Sequence, residues 1–216
     1  MNNPVNQELY NPDLIKEKLA KGLVRSSQLL ATSRFLQADA RESQEYQDPT
    51  YFPFYFYLGQ QLQSEHILQV GSRLGLVGAC FLQGCRTVED WLSIDVPINE
   101  HKHLAGVVKG NLQRHCGGLV NAMYMDASAE TLTKGIALNN PGNYSADTVF
   151  VSERFDPGVF KIALDLGWLC LKSGGILIAD YINSDELSPV FASFCRVKNR
   201  ESLKFDTRYG VGIVRR

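Results

Sequence analysis

No stretch of this 216-residue chain approaches the roughly 18 consecutive apolar residues of a membrane span. The N-terminus, rich in Asn, Pro and Gln, lacks the basic-then-apolar order of a secretory leader. Charge of one sign is also lacking. Twenty-two lysines and arginines against 23 aspartates and glutamates leave a net charge of −1, so no general field draws the protein to nucleic acid or acidic membranes. Cysteine pairing is absent too: Cys80, Cys85, Cys116, Cys170 and Cys195 are odd in number, form no C-x-x-C pair and mostly fall within apolar runs. Buried free thiols in a reducing cytosol account for them, and zinc is not expected. There is no internal repeat or low-complexity tract. These absences predict a soluble cytoplasmic protein that engages neither membrane nor nucleic acid, with a homo-oligomer left open.

What is present suits one sizeable α/β domain: the composition is 44% hydrophobic, and a chain of this length buries roughly 70% of the surface it would expose unfolded. Residues 1–50 read as a helical extension with polar interruptions, and 51–216 as the main domain. The segment Tyr51–Leu58 packs six aromatics and one leucine around Pro53. It reads as packed on the core, or alternatively as a cover over a ligand site, since aromatic faces exclude water and stack on flat groups.

From residue 66 onward strands alternate with helices. His66–Val70 is a short buried strand that stops at Gly71, and Leu76–Leu82 carries apolar residues at helical density. Further strands are expected at Trp91–Asp95, Leu119–Met125, Asp147–Val151 and Ile176–Ala179. Helices are expected at Asn99 to about Cys116, in a short piece after Ser128, from Asp156-Pro157 to Lys172-Ser173-Gly174-Gly175, and around Leu187–Val197. Two β-like stretches, Ser202–Asp206 and Val211–Val214, close the chain as an antiparallel pair. The predicted fold is a Rossmann-like, doubly wound, mostly parallel sheet with helices on both faces and a C-terminal antiparallel hairpin.

Ligands of such sheets bind outside the carboxyl ends of the strands. Gly71–Gly75, Asp95, Asp126, Ser152-Glu153 and Asp180 all fall at those ends, and this recurrence points to a common cleft. A glycine corner lets backbone approach a ligand and leaves helix N–H groups for negative charge; it also serves where only steric room is needed. A dinucleotide site of the form G-x-G-x-x-G meets Arg73 in either register, which disfavours it.

The order of these residues resembles that of class I S-adenosylmethionine-dependent methyltransferases, in particular small O-methyltransferase-like domains with a glycine-serine-arginine-x-glycine first motif. The resemblance spans roughly residues 50–216. The family's acid-x-Gly-x-Gly-x-Gly register falls on Gln69, Gly71, Arg73 and Gly75, with Gln69 and Arg73 as departures. Asp95, 20 residues after Gly75 (95 − 75), occupies the place of the ribose-binding acid, and Asp126-Ala127 that of the pair beside the adenine. Leu171–Ile178 and Tyr209–Gly212 match the entry to the fifth strand and the closing hairpin. The resemblance implies S-adenosylmethionine as cofactor, held by Gly71, Ser72, Arg73, Gly75, Asp95, Asp126, Ala127 and Ser152, and methylation of a small hydroxylated metabolite or sugar. Asp180, then Glu153, are the candidate general bases. A magnesium set of Glu153, Asp180 and Asn183 is the less favoured option. A methyltransferase-like domain with a binding, assembly or regulatory role is the alternative.

Overall fold

The computed structural model describes residues 51–72, 75–95, 108, 110, 112, 121–126 and 144–216, with backbone alone at 124–126. The helices expected within residues 1–50 and after Ser128 lie outside the described residues. Of the helix expected over 99–116, Val108, Gly110 and Leu112 are described and are helical.

The described elements in chain order are α1 (Phe52–Gln61), β1 (His66–Val70), α2 (Leu76–Gly84), β2 (Asp90–Asp95), β3 (Asn121–Asp126), β4 (Ala146–Val151), α3 (Pro157–Cys170), β5 (Leu171–Asp180), α4 (Leu187–Val197), β6 (Ser202–Phe205) and β7 (Val211–Arg215). The strands form one sheet in the order β3-β2-β1-β4-β5-β7-β6. The first five run parallel, and β7 is antiparallel to both of its neighbours. The chain winds outward from β1 to β3 and restarts at β4 on the other side of β1. That reversal opens a crevice at the carboxyl ends of β1 and β4.

Side chains alternate across the sheet, and the alternation sorts the core into two layers. Ile67, Trp91, Phe150, Ile178, Val211 and Ile213 face α1 and α2; Leu68, Val70, Val149, Val151, Leu177 and Ala179 face α3 and α4. The aromatic segment is therefore a core helix: Phe52 to Gly59 are all buried, consistent with a helix that is apolar on every side. Phe150 is the hub of this layer, stacked on Trp91 at 5.7 Å and 13° and met edge-on by Phe81 and Tyr55. Helices α1 and α2 touch backbone to backbone. A Cβ on Gly59 would lie 2.1 Å from the Phe81 carbonyl oxygen, and one on Gly84 would lie 2.2 Å from that of Phe56.

On the opposite face α3 starts as its sequence predicts, with Asp156 Oδ1 accepting from the N–H groups of Gly158 and Val159 at 2.9 and 3.1 Å and Pro157 in the first turn. Its end differs from expectation. Lys172–Gly175 does not form a loop after the helix but the opening of β5, which runs over ten residues. Glycine makes this possible: Gly174 has φ +81°, a Cβ on Gly175 would meet the Asp147 carbonyl oxygen at 2.9 Å, and the β4–β5 register shifts between Ala146 and Thr148.

Candidate functional site

The face covered by α1 and α2 is apolar in mid-sheet and turns polar at the carboxyl ends. By the same alternation Ile67 is followed by Gln69, Trp91 by Ser93 and Asp95, Phe150 by Ser152, and Ile178 by Asp180, and all five of these polar residues are buried. Burying such groups costs free energy unless each finds partners, so their hydrogen bonds define the site.

On the β1/β2 side the glycine loop is tied to both neighbouring strands. Gly71 N–H donates to Ile94 O at 2.9 Å, and its carbonyl accepts from Ser152 Oγ at 2.7 Å. Gly71 has φ +80°, and a Cβ there would meet Glu153 Cβ at 2.5 Å and Phe155 Cζ at 2.8 Å; only glycine fits where β1 leaves the sheet beside β4. Both the backbone N–H and the hydroxyl of Ser72 donate to the Asp95 carboxylate. Gly75, at φ +75°, precedes α2 and donates its N–H to Ser72 O at 2.7 Å. Asp95 is 6% exposed. Each oxygen of a carboxylate has two lone pairs, more sites than the two Ser72 bonds occupy. An acceptor of this kind matches the chemistry of ribose hydroxyls, which are donors.

Gln69, in the place where the resemblance puts an acid, is fully buried. Its Nε2 donates to Ser152 Oγ at 2.6 Å, while Oε1 has no hydrogen-bond partner among the described residues. Asp180, at the end of β5, is also fully buried and accepts from the hydroxyls of Tyr51, at 2.8 Å, and Tyr55. Burial, and then the Asp180 charge, push both phenols well above the usual tyrosine range, so both remain donors. Glu153 follows β4, half-buried and against Gly71.

Beyond Asp180 the chain enters the left-handed region at Tyr181, φ 62°, a conformation that costs a bulky residue on the order of 1–3 kcal/mol unless its surroundings enforce it. Here they do. Ile182 and Asn183 donate their N–H groups to Gly210 O and Tyr209 O at 3.2 and 3.1 Å, and the Tyr181 and Tyr209 rings lie 4.6 Å apart at 32°. A cleft of about 460 Å³ opens beside this ring pair, walled by Arg154, Asn183 and Arg208 among others. It lies at the carboxyl ends of β4 and β5, whereas Ser72 and Asp95 lie at those of β1 and β2.

The expected site residues thus fall in two groups. Gly71, Ser72, Gly75, Asp95 and Ser152 surround one loop, and Glu153 adjoins it; Asp180 faces the tyrosines of α1. The backbone of Asp126 pairs with Asp95 at the end of β3, while its side chain, Arg73 and Ala127 lie outside the described residues. Of the magnesium set, Asp180 is engaged by tyrosines, and Asn183 packs over Gly210. Among the described residues no three His, Cys, Asp or Glu side chains gather as metal ligands, and no helix is long and apolar enough to cross a membrane. Sequence reasoning missed the Tyr51–Tyr55 pair on Asp180. The i, i+4 spacing of the two tyrosines on a helix was the available signal.

No protein-family model matches the chain, and no curated protein does. Solved structures do. A Staphylococcus aureus protein assigned as a caffeoyl-CoA O-methyltransferase superposes with a TM-score of 0.58 at 12% identity, covering 89% of this chain and 99% of its own. An O-methyltransferase from Bacillus cereus, solved in complex with S-adenosylhomocysteine (SAH), gives 0.53 at 15% identity, with 91% of each chain covered. One assigned as an O-methyltransferase from Klebsiella pneumoniae gives 0.50 at 14%, covering 100% and 90%. Together with the strand order and the closing antiparallel hairpin, these likenesses show that the chain has the fold of class I S-adenosylmethionine-dependent methyltransferases.

Proposed function

We propose that the protein binds S-adenosylmethionine against Gly71–Gly75 and Asp95 and transfers its methyl group to a hydroxyl of a small metabolite or sugar. The observation that carries this reading is the buried Asp95 carboxylate, held by Ser72 of the glycine loop at the topological switch of the sheet. The B. cereus fold neighbour with SAH supports the choice of cofactor. When bound, the cofactor supplies a methyl group on a positively charged sulfur. Asp95 accepts the ribose hydroxyls, Gly71 gives the backbone room to approach, and Arg73, Asp126, Ala127 and Ser152 complete the cofactor contacts.

The acceptor enters by the cleft beside Tyr181 and Tyr209, so donor and acceptor meet across the ends of β1 and β4. Holding two reactants in line is the main task of such a site and contributes on the order of 7–11 kcal/mol in favourable cases. Of the two candidate bases, Glu153 is the better placed. It is half-buried at that junction and packs against Gly71 of the glycine loop, whereas Asp180 is fully buried beneath the tyrosines of α1.

Calorimetric titration with S-adenosylmethionine tests the reading: the wild type binds, and Asp95→Ala weakens binding by roughly 10- to 100-fold, the worth of one charged hydrogen bond or more. No heat and no thermal shift at millimolar cofactor would instead favour a non-catalytic binding or assembly role. Methyl transfer to a panel of hydroxylated acceptors then separates the bases. Glu153→Gln lowers kcat by about 100-fold or more with cofactor affinity retained; unchanged turnover removes Glu153 from the chemistry.

A further inference from the structure

The direction of the hydrogen bonds around Ser152 is fixed by elementary bookkeeping. The Gly71 carbonyl can only accept, so the single hydroxyl hydrogen of Ser152 points to it at 2.7 Å. The Gln69 atom 2.6 Å from the same hydroxyl oxygen must therefore be a donor, which identifies it as the amide nitrogen. The chain of donation runs one way, from Gln69 N–H to Ser152 to Gly71 O. An ionised acid at position 69 has no hydrogen to give, and it would compete with the Gly71 carbonyl for the one that Ser152 carries. The same carbonyl belongs to the residue whose N–H is fixed on β2 and whose successor, Ser72, donates twice to Asp95. The relay thus reaches the ribose-binding end of the loop through two consecutive residues.

We propose that Gln69 is a positioning residue: acting through Ser152, its amide donor sets the Gly71 carbonyl and with it the glycine loop for the adenosyl cofactor, and the site requires a neutral donor at this position. The proposal rests on the cofactor reading above. It makes the departure at Gln69 part of a working arrangement that pairs Gln69 with Ser152, where a carboxylate at 69 would compete with Gly71 for the Ser152 hydrogen.

The test is SAH affinity between pH 5.5 and 8.5 for the wild type, Gln69→Glu, Gln69→Leu, Ser152→Ala and the Gln69→Leu/Ser152→Ala double variant, with thermal midpoints recorded alongside. The carboxyl introduced by Gln69→Glu is buried and titrates above the ordinary glutamate value of about 4.3. Protonated, it donates to Ser152 as the amide does; ionised, it withdraws the Ser152 hydrogen from Gly71. Among the described residues, other titratable groups on this face include Asp95 on β2, Asp180 on β5, Tyr51, Tyr55 and Tyr57 of α1, Cys80 of α2 with Cys85 after it, Tyr209 before β7, and Glu153 after β4. All are common to wild type and variant, so the ratio of their affinities isolates position 69.

Gln69→Glu is expected to bind on the order of tenfold more weakly than wild type at pH 8.5 and to recover towards it as the pH falls. Gln69→Leu should be weakened by a pH-independent factor, and Ser152→Ala on the order of tenfold. The double variant should be no weaker than Ser152→Ala, because both substitutions cut one chain. If Gln69→Glu does not fold, this double-mutant comparison decides alone, and additive losses overturn the proposal. A wild-type-to-Gln69→Glu ratio that is flat with pH also overturns it. Failure of the wild type to bind SAH overturns the cofactor reading itself, and the proposal with it.

Discussion

At the scale of single residues, the Asp180 carboxylate ties the first helix to the end of β5. It is fully buried and receives the hydroxyls of Tyr51 and Tyr55, which burial and its own charge keep protonated. A buried charge stripped of a donor costs more than a neutral pair would. Tyr55→Phe changes nothing else in shape, so it should lower stability by about 1.5–3 kcal/mol in urea unfolding at neutral pH. A loss below about 0.5 kcal/mol would mean that Asp180 is not held as a carboxylate by this phenol. Tyr51 precedes α1 and Tyr55 lies one turn in, so both hydroxyls reach the carboxyl end of β5. The aromatic segment is thereby both core and wall, since the Tyr51 ring also meets that of Tyr209 edge-on at 5.1 Å.

At the scale of elements, helix placement depends on glycines that leave no room. The α1–α2 crossing brings Gly59 and Gly84 against opposing backbone, and backbone cannot step aside as a side chain can. Gly84→Ala should destabilise the protein by about 1–3 kcal/mol or more through forced separation of the helices. Gly110 is helical and exposed, and a Cβ added there would meet nothing within 4 Å. At that position the same substitution should stabilise by about 0.4–1 kcal/mol, since it removes only unfolded-state freedom. Opposite signs in parallel urea titrations check the pair; equal gains would show that helix propensity, not the crossing, governs Gly84. Element order was legible beforehand because apolar runs, Gly71, Asp156-Pro157 and the strand-end acids are local signals. The length of β5 was not, because Lys172-Ser173-Gly174-Gly175 has the composition of a helix stop, while its conformation is set by Asp147 across the sheet and by Leu171 of the same strand. The same limit hid the site's wiring: Gln69 and Ser152 are 83 residues apart, and Tyr51 and Asp180 are 129 apart. Asp95 could be placed at a strand end from its local run alone, but nothing in that run reveals that Ser72 holds it.

At the scale of the whole molecule, the sheet has two ends with different duties. The carboxyl ends carry Gln69, Asp95, Ser152 and Asp180; the opposite end is fastened by Asp147. This carboxylate accepts the N–H groups of Glu65 and His66 at 3.0 and 2.9 Å, before and at the start of β1, and pairs with Lys172 near the start of β5 at 3.0 Å, so one side chain spans three adjacent strands. Partial burial alone would raise its pKa, but the backbone donors and Lys172 outweigh it and hold the group below its ordinary value of 3.8. The sign follows from linkage: a depressed folded pKa contributes stability fully above the unfolded value, and that contribution is lost as pH falls through the folded one. With its side chain 27% exposed and its ion pair screened by solvent, Asp147→Asn should cost only about 1 kcal/mol at pH 7. The gap to wild type should narrow progressively as the pH falls below about 4, and cofactor affinity at pH 7 should stay the same. Urea unfolding of both proteins at pH 7 and pH 3 is the check. A gap as wide at pH 3 as at pH 7 would mean that the charge of Asp147 does not fasten this end, and an altered cofactor affinity would mean that the two ends of the sheet are not independent.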